Sequence, residues 1–324
     1  MKKIFFFFFL SFIFIGCNSS NTSYKKDNNT HFIKVFFSKT SGDYINGVDE
    51  IIIKDINLAK KSIELAIYEI TNDKIINALL NASKRGVKVK VIVDDEFLNN
   101  QKIKDLNKTG ILITGDNSKY IMHNKYMIID GKIVWSESGN YTYYAFYRNY
   151  ENFVRIEDLK IADVYKKDFQ MILDKNVSYL ALNSSFKVYF SPNDNIKSIL
   201  INKINSASKR IYFLMYAFTD YDLAEAIIKA KKRGVDVKGV MDGDFYDNKY
   251  SVYSYLINNN IDVKLDSIPG KLHDKVLIVD DFVYTGSYNF TKSANEKNYE
   301  NLIGYDKIVY YYESEFWKIF KNSQ

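Results

Sequence analysis

The chain has 324 residues, 47% of them apolar and 26% charged, a composition that marks a globular body long enough for two domains of ordinary size. Its formal charge of +6 fits an anionic substrate without demanding one. The single cysteine, Cys17, excludes an intramolecular disulfide and any cysteine-based metal site.

Taken in chain order, Met1–Lys3 is a positive stretch and Ile4–Ile15 an apolar run broken only by Ser11. A run of twelve residues is too short to span a bilayer comfortably and has the proportions of a signal peptide core. Gly16-Cys17 and the polar stretch Asn18–Thr30 follow. This arrangement resembles a bacterial lipoprotein signal, although Phe14 stands three residues before Cys17, where Leu is more usual. The resemblance implies removal of residues 1–16 and acylation of Cys17, giving an exported lipoprotein held on a membrane. Loss of those residues takes away Lys2 and Lys3 and no acid, leaving +4. Residues 17–31 then read as a lipidated cysteine and a disordered tether.

The remainder is a repeat, expected as one domain over 32–180 and another over 181–324. Val35-Phe36-Phe37-Ser38 recurs as Val188-Tyr189-Phe190-Ser191. Val48, Ile52, Ile56 and Ala59 share the spacing of Ile196, Leu200, Ile204 and Ala207, which is one face of a helix. The β-prone runs Ser62–Thr71 and Arg210–Thr219 predict strands, and Lys74–Arg85 and Asp222–Arg233 predict helices. Each of these helices closes on Lys-Arg-Gly. Cations favour a helix C-terminus and glycine ends it, so neither basic pair reads as a nucleic-acid patch. Val87–Val93 and Val235–Met241 predict strands ending on Asp94 and Asp242. The fold class expected is α/β: two similar halves about a pseudo-two-fold axis, with mixed, largely parallel sheets flanked by helices.

The strongest signal comes after this third strand. His123-Asn124-Lys125 is followed, after four intervening residues, by Asp130, then by Ser138 and Asn140. His273-Asp274-Lys275, Asp280, Ser287 and Asn289 repeat the pattern, and Asn149-Tyr150-Glu151-Asn152 returns as Asn298-Tyr299-Glu300-Asn301. His and Lys two residues apart on a strand share a face. Two such faces brought together put two imidazoles and two ammonium groups around one point, the set a phosphodiester needs. Lysines with Ser and Asn donors neutralise charge growing on the non-bridging oxygens. One His attacks phosphorus and the other protonates the leaving oxygen, while Glu151 and Glu300 orient and polarise them. Facing imidazoles should titrate as a coupled pair near the ordinary value of about 6.5.

Of three histidines, two occupy equivalent places; His31, at the end of the tether, reads as incidental. A satisfied core histidine is the usual fate of a lone His, but not of one repeated with the same Lys, Asp, Ser, Asn and Glu. Zinc is the poorer rival, because a lysine beside each His repels a cation.

The motif resembles that of the phospholipase D superfamily, H-x-K-x4-D followed by G-S-x-N, and the resemblance covers the whole body in two copies. It implies two α/β halves with the site between them, a covalent phosphohistidine, and neither metal nor cofactor. His123 is then the nucleophile and His273 the acid/base. Lys125, Lys275, Asn140 and Asn289 bind phosphate with Ser138 and Ser287 in support, and Asp130 and Asp280 are structural. With both motifs in one chain, a monomer completes the site. Two departures bear on the first half: Glu137 stands where the family has Gly, and Asp280 to Gly286 is one residue shorter than the corresponding span from Asp130. The resemblance leaves a phospholipid head group and a nucleic acid both open as the diester. A surface scaffold or adhesin without activity is the reading of another class, against which the intact His and Lys of both copies argue.

Overall fold

The computed structural model describes residues 32–107, 109–174, 182–183 and 186–324. Cys17, the signal, the tether and the boundary at 180/181 lie outside the described residues. The first half runs β1 (Phe32–Phe37), α1 (Val48–Leu58), β2 (Ser62–Ile67), α2 (Asp73–Lys84), β3 (Lys88–Val93), α3 (Gln101–Asn107), β4 (Leu112–Gly115), β5 (Lys125–Ile129), β6 (Ile133–Glu137), α4 (Tyr143–Tyr147), β7 (Asn152–Glu157) and α5 (Leu159–Leu173). After the short extra strand β8 (Leu182–Asn183), the second half repeats it: β9 (Lys187–Ser191), α6 (Ile196–Ser206), β10 (Arg210–Met215), α7 (Tyr221–Lys232), β11 (Asp236–Met241), α8 (Tyr253–Asn258), β12 (Asp262–Leu265), β13 (Lys275–Val279), β14 (Phe282–Gly286), α9 (Lys292–Glu296), β15 (Glu300–Tyr305) and α10 (Val309–Asn322).

The sheet orders are β1-β7-β6-β5-β2-β3-β4 and β12-β11-β10-β13-β14-β15-β9-β8. Both are mixed, as expected, but antiparallel pairs predominate. Only β2-β3-β4 and β10-β11-β12 are parallel. Those strands are joined by crossovers that include a helix, whereas β5-β6 and β13-β14 are hairpins, and a tight turn can join only antiparallel strands.

Side chains alternate between two cores, as a period of two requires. Tyr126 and Ile128 of β5, with Val276 and Ile278 of β13, enter a core shared by both inner sheet faces and by α5 and α10. Met127 and Ile129 face α1 and α2, and Leu277 and Val279 face α6 and α7. Local chemistry sets the element ends. Asn72 and Asp220 cap α2 and α7 by accepting two backbone N–H groups each. Past their far ends, Gly86 and Gly234 take φ of 88° and 94°. The arginines of the two Lys-Arg-Gly sequences turn inward: Arg85 donates to the carbonyl of Ile56 at 3.0 Å, and Arg233 to that of Ile204 at 2.9 Å.

Asp130 and Asp280 lie in the turns that follow the two motif strands. The Asp130 carboxylate accepts the backbone N–H groups of Lys60, Lys61 and Ser62 at 2.6–3.1 Å. Asp280 does the same for Ser208, Lys209 and Arg210. Each aspartate thereby ties the turn after the motif strand to the start of the strand beside it. The one-residue difference also lies in this turn: Ile129 pairs with Ile133 across three residues, and Val279 with Phe282 across two. It is absorbed before the chain reaches Ser138 or Ser287. Among the described residues, no helix is long and apolar enough to cross a membrane.

Candidate active site

Two short backbone bridges join the halves where the motifs meet. The His123 N–H donates to the carbonyl of Tyr299 at 2.9 Å, and the His273 N–H to that of Tyr150 at 3.0 Å. Since Glu300 follows Tyr299 and Glu151 follows Tyr150, each bridge delivers a carboxylate to the histidine of the other half. His123 Nδ1 lies 2.7 Å from Glu300 Oε2, and His273 Nδ1 lies 2.8 Å from Glu151 Oε1. The second contact is the less well aligned, outside hydrogen-bond angles.

Each Asn-Tyr-Glu-Asn segment is thus a clasp on the opposite His-x-Lys. Its first residue donates to its own glutamate, Asn149 to Glu151 and Asn298 to Glu300. Its last residue crosses: Asn301 Oδ1 accepts the Lys125 N–H at 2.9 Å, and Asn152 Nδ2 donates to Asp274 at 2.6 Å.

Lys125 and Lys275 are buried, and each Nζ donates to the carbonyl of its own motif histidine. Burial draws Lys125 down to about 7 and Lys275 to about 8, against the carboxylates of Glu300 and Glu151, which raise them. Burial also lowers both imidazoles, His273 to about 4, although the facing glutamates pull upward. Both therefore lie below the near-neutral titration expected from the sequence. Burial alone would raise Glu151, but His273, Lys275 and Ser138 outweigh it and hold the carboxyl below its usual range. With Nδ1 of each ring turned to a carboxylate, Nε2 is the nitrogen left to react. Two ammonium groups against two carboxylates leave the site neutral while both imidazoles are neutral, and at +1 once one is protonated, which matches a singly charged diester.

Ser138 and Ser287 do not face the phosphate position. They are fully buried, and each hydroxyl donates to a glutamate at 2.6 Å, Ser138 to Glu151 and Ser287 to Glu300. Each also accepts the N–H of the following asparagine, Asn152 or Asn301. A hydroxyl so committed aims a carboxylate and cannot donate to a ligand as well. Asn140 and Asn289 differ. Their amide oxygens are buried with no hydrogen-bond partner among the described residues, so turning the amide presents its NH2 there without breaking a bond. Glu137 is accommodated by Tyr141, whose O–H donates to it at 2.9 Å. Burial pushes the Glu137 carboxyl well above the usual range, against the Tyr141 hydrogen bond and the charge of Lys125, which lower it. The second half has Gly286 and Phe290 at these two places. A Cβ on Gly286 would lie 2.2 Å from the carbonyl oxygen of Asn301.

Sequence reasoning missed Tyr68 and Tyr216, which pack against His123 and His273 at 5.4 and 4.8 Å between ring centres. They also lie under Lys125 and Lys275 at 5.4 and 5.3 Å. Their equivalence in the repeat was the available signal. A cleft of about 390 Å³ leads to His273, with Glu69, Asn140, Thr142 and Lys271 on its walls. Among the described residues, no three His, Cys, Asp or Glu side chains group to hold a metal ion.

The family described as cardiolipin synthase, PLD-like domain, matches residues 52–173 and again 200–320. A protein named phospholipase D from Rickettsia felis is 37% identical over 129 residues, 40% of this chain and 64% of its own length. One named mitochondrial cardiolipin hydrolase from Xenopus laevis is 31% identical over 119 residues, 36% of this chain and 57% of its own. Each alignment thus spans less than two-thirds of the relative. The crystal structure of a phosphatidylserine synthase from Haemophilus influenzae covers 90% of this chain and 87% of its own with a TM-score of 0.67, a likeness of fold at 15% identity. With the family matched twice, over most of the chain, and the motif residues of both copies meeting at one junction, the chain belongs to the phospholipase D-like family and carries that domain in two repeats.

Proposed function

We propose that this chain is a phospholipase D-type phosphodiesterase that hydrolyses the head-group diester of a phospholipid at one site shared by its halves. The observation that carries the reading is the crossed clasp, His123 on Glu300 and His273 on Glu151, with both buried lysines beside it. His123 Nε2 forms a bond to phosphorus as the bond to the head-group oxygen breaks, and His273 gives that oxygen its proton. Lys125, Lys275, Asn140 and Asn289 hold the non-bridging oxygens. Glu300 stabilises the positive ring of the phosphohistidine, and Glu151 the protonated His273. In the second step His273 takes a proton from water, the water oxygen bonds to phosphorus, and the N–P bond to His123 breaks. The relatives named for phospholipid hydrolysis support a lipid diester. A monomer suffices, since both motifs lie in one chain.

The test is turnover by the detergent-solubilised full chain on phosphatidylcholine and on single- and double-stranded DNA. Lipid hydrolysis is expected, abolished by His123→Ala and by His273→Ala separately. Either variant keeping most of its activity would refute a shared site, and cleavage of DNA alone would make the substrate a nucleic acid. An exported, Cys17-acylated lipoprotein is the location that the N-terminal sequence supports. Cys17→Ser should move the protein from membranes to the soluble fraction, and an unmodified Cys17 in membrane-bound protein would refute the anchor.

A further inference from the structure

In a molecule this symmetric, the features of one half only are the place to look for what the symmetric chemistry leaves undecided. Counted from the equivalent Ser38 and Ser191, the loop before α1 is five residues longer than the loop before α6. The longer loop carries Tyr44 and Asn46 at φ of 54° and 50°, a left-handed conformation that favours glycine. It is tied to α4 by the Gly42 N–H, which donates to the Tyr147 carbonyl at 2.9 Å, and by Tyr44 packing edge-on to Tyr143 and Tyr147. Where α4 begins Tyr143-Tyr144, α9 has Lys292-Ser293; where the first half has Glu69, the second has Ala217.

These unmatched residues come together. Tyr44, Glu69, Tyr143 and Tyr144, with Thr71 and Thr142, line a chamber of about 580 Å³. Glu69, Thr142 and Tyr144 also line the cleft that reaches His273, so chamber and cleft adjoin. No lysine or arginine is among the residues lining the chamber. The Glu69 carboxylate makes no hydrogen bond or ion pair among the described residues, and burial holds its carboxyl above the usual range although the charge of Lys125 pulls it down. Arg148, outside the chamber lining, lies over the Tyr144 ring at 6.0 Å, at the outer limit of a cation–ring contact.

We infer that this chamber is the leaving-group subsite and that it takes a cationic alkylammonium head group, held against the three tyrosines and neutralised by Glu69. The inference rests on the proposed activity: with His123 attacking, the leaving oxygen departs on the side of His273, the histidine that lines the cleft. A carboxylate among ring faces suits an ammonium group, which gains from both charge and ring faces, whereas a neutral head group gains only hydrogen bonds to the carboxylate.

The experiment gives the first half the residues of the second, Glu69→Ala as at Ala217 and Tyr144→Ser as at Ser293, with melting temperature as the check on folding. In the full chain, kcat/KM is measured on phosphatidylcholine and phosphatidylglycerol in mixed micelles and on single-stranded DNA. Binding of choline alone is followed by saturation transfer to its methyl protons. Each substitution is expected to lower the choline-to-glycerol ratio of kcat/KM roughly tenfold and to weaken the choline signal. A ratio within twofold of wild type in both variants, with hydrolysis intact, overturns the cation site and leaves the activity standing. Choline binding that both variants lose, in a wild type that hydrolyses no phospholipid, supports the cation site and refutes the proposed activity. A greater loss on DNA than on phosphatidylcholine overturns it in favour of a chamber that stacks nucleobases.

Discussion

The crossed pairing makes a prediction that an uncrossed one does not: Glu300→Gln should impair the nucleophile of the other half, and Glu151→Gln the acid/base. The shape of the site should survive, because one amide oxygen can still accept from both the ring N–H of His123 and the hydroxyl of Ser287, which now share Glu300 Oε2. What is lost is the charge. When the N–P bond forms, the His123 ring becomes positive with a buried carboxylate 2.7 Å from Nδ1. Two unit charges about 4 Å apart at an effective dielectric of about 20 interact by about 4 kcal/mol. A charge-assisted hydrogen bond is about twice as strong as the neutral one that replaces it. A net loss of about 2–4 kcal/mol slows formation of the phosphohistidine by roughly 30- to 1000-fold. The assay is a single turnover with bis(p-nitrophenyl) phosphate, whose leaving group needs no acid. Glu300→Gln should slow release of the first p-nitrophenolate. Glu151→Gln should give that release at close to the wild-type rate and then stall, because His273 must still activate water. Equal slowing of the first release by both variants, or the two phases exchanged, would refute the crossed assignment.

The buried lysines set the alkaline limb of the same reaction. Rising pH discharges Lys125 near 7 and Lys275 near 8, so kcat/KM on the activated diester should fall across that interval, and a limb appearing only above about 9 would remove the lysines from phosphate binding. The acid limb should lie below the ordinary imidazole value of about 6.5, since burial lowers both histidines and the attacking ring must be neutral. Asp130→Ala should cost about 1–2 kcal/mol by leaving three backbone N–H groups without their acceptor, a fall of about 2–6 °C in melting temperature with kcat within twofold of wild type. A large loss of kcat in the folded variant would give that aspartate a chemical role. Exhaustive chelation should leave the rate unchanged, because two lysines supply the charge a metal would bring; a rate abolished by EDTA and restored by zinc or magnesium would contradict the mechanism.

The repeat made much of this legible. The spacing of four, four and three placed α1 and α6 to within a residue, because those positions are the buried face. The His-x-Lys motif was found by its recurrence and lies at the start of β5 and β13, which open on Lys125 and Lys275 with the histidines just before them. The α3–β4 and α8–β12 segments before the motif were missed: α3 is seven residues long with two buried side chains, and β4 only four, too short for a periodicity to stand out. The crossing was out of reach of local reasoning, since His123 and Glu300 are 177 positions apart and pairing either glutamate with its own half fits the sequence equally well. The same holds for Ser138 and Ser287, whose commitment to the glutamates depends on where β7 and β15 lie. Glu137 looked like a liability because the sequence does not show that Tyr141 meets it. The tyrosine chamber escaped notice because a search by repetition passes over residues that do not repeat.

The central claim is a covalent bond from His123 to phosphorus, with His273 needed to break it. The direct measurement is His273→Ala mixed with a labelled activated diester, quenched rapidly without acid and mapped by peptide. The account predicts a burst of one leaving group per chain and label on the peptide holding His123. Label on the His273 peptide in the converse variant, His123→Ala, would invert the roles. No phosphohistidine in either variant, with a wild type that turns over, would mean that water attacks phosphorus directly and would contradict the account.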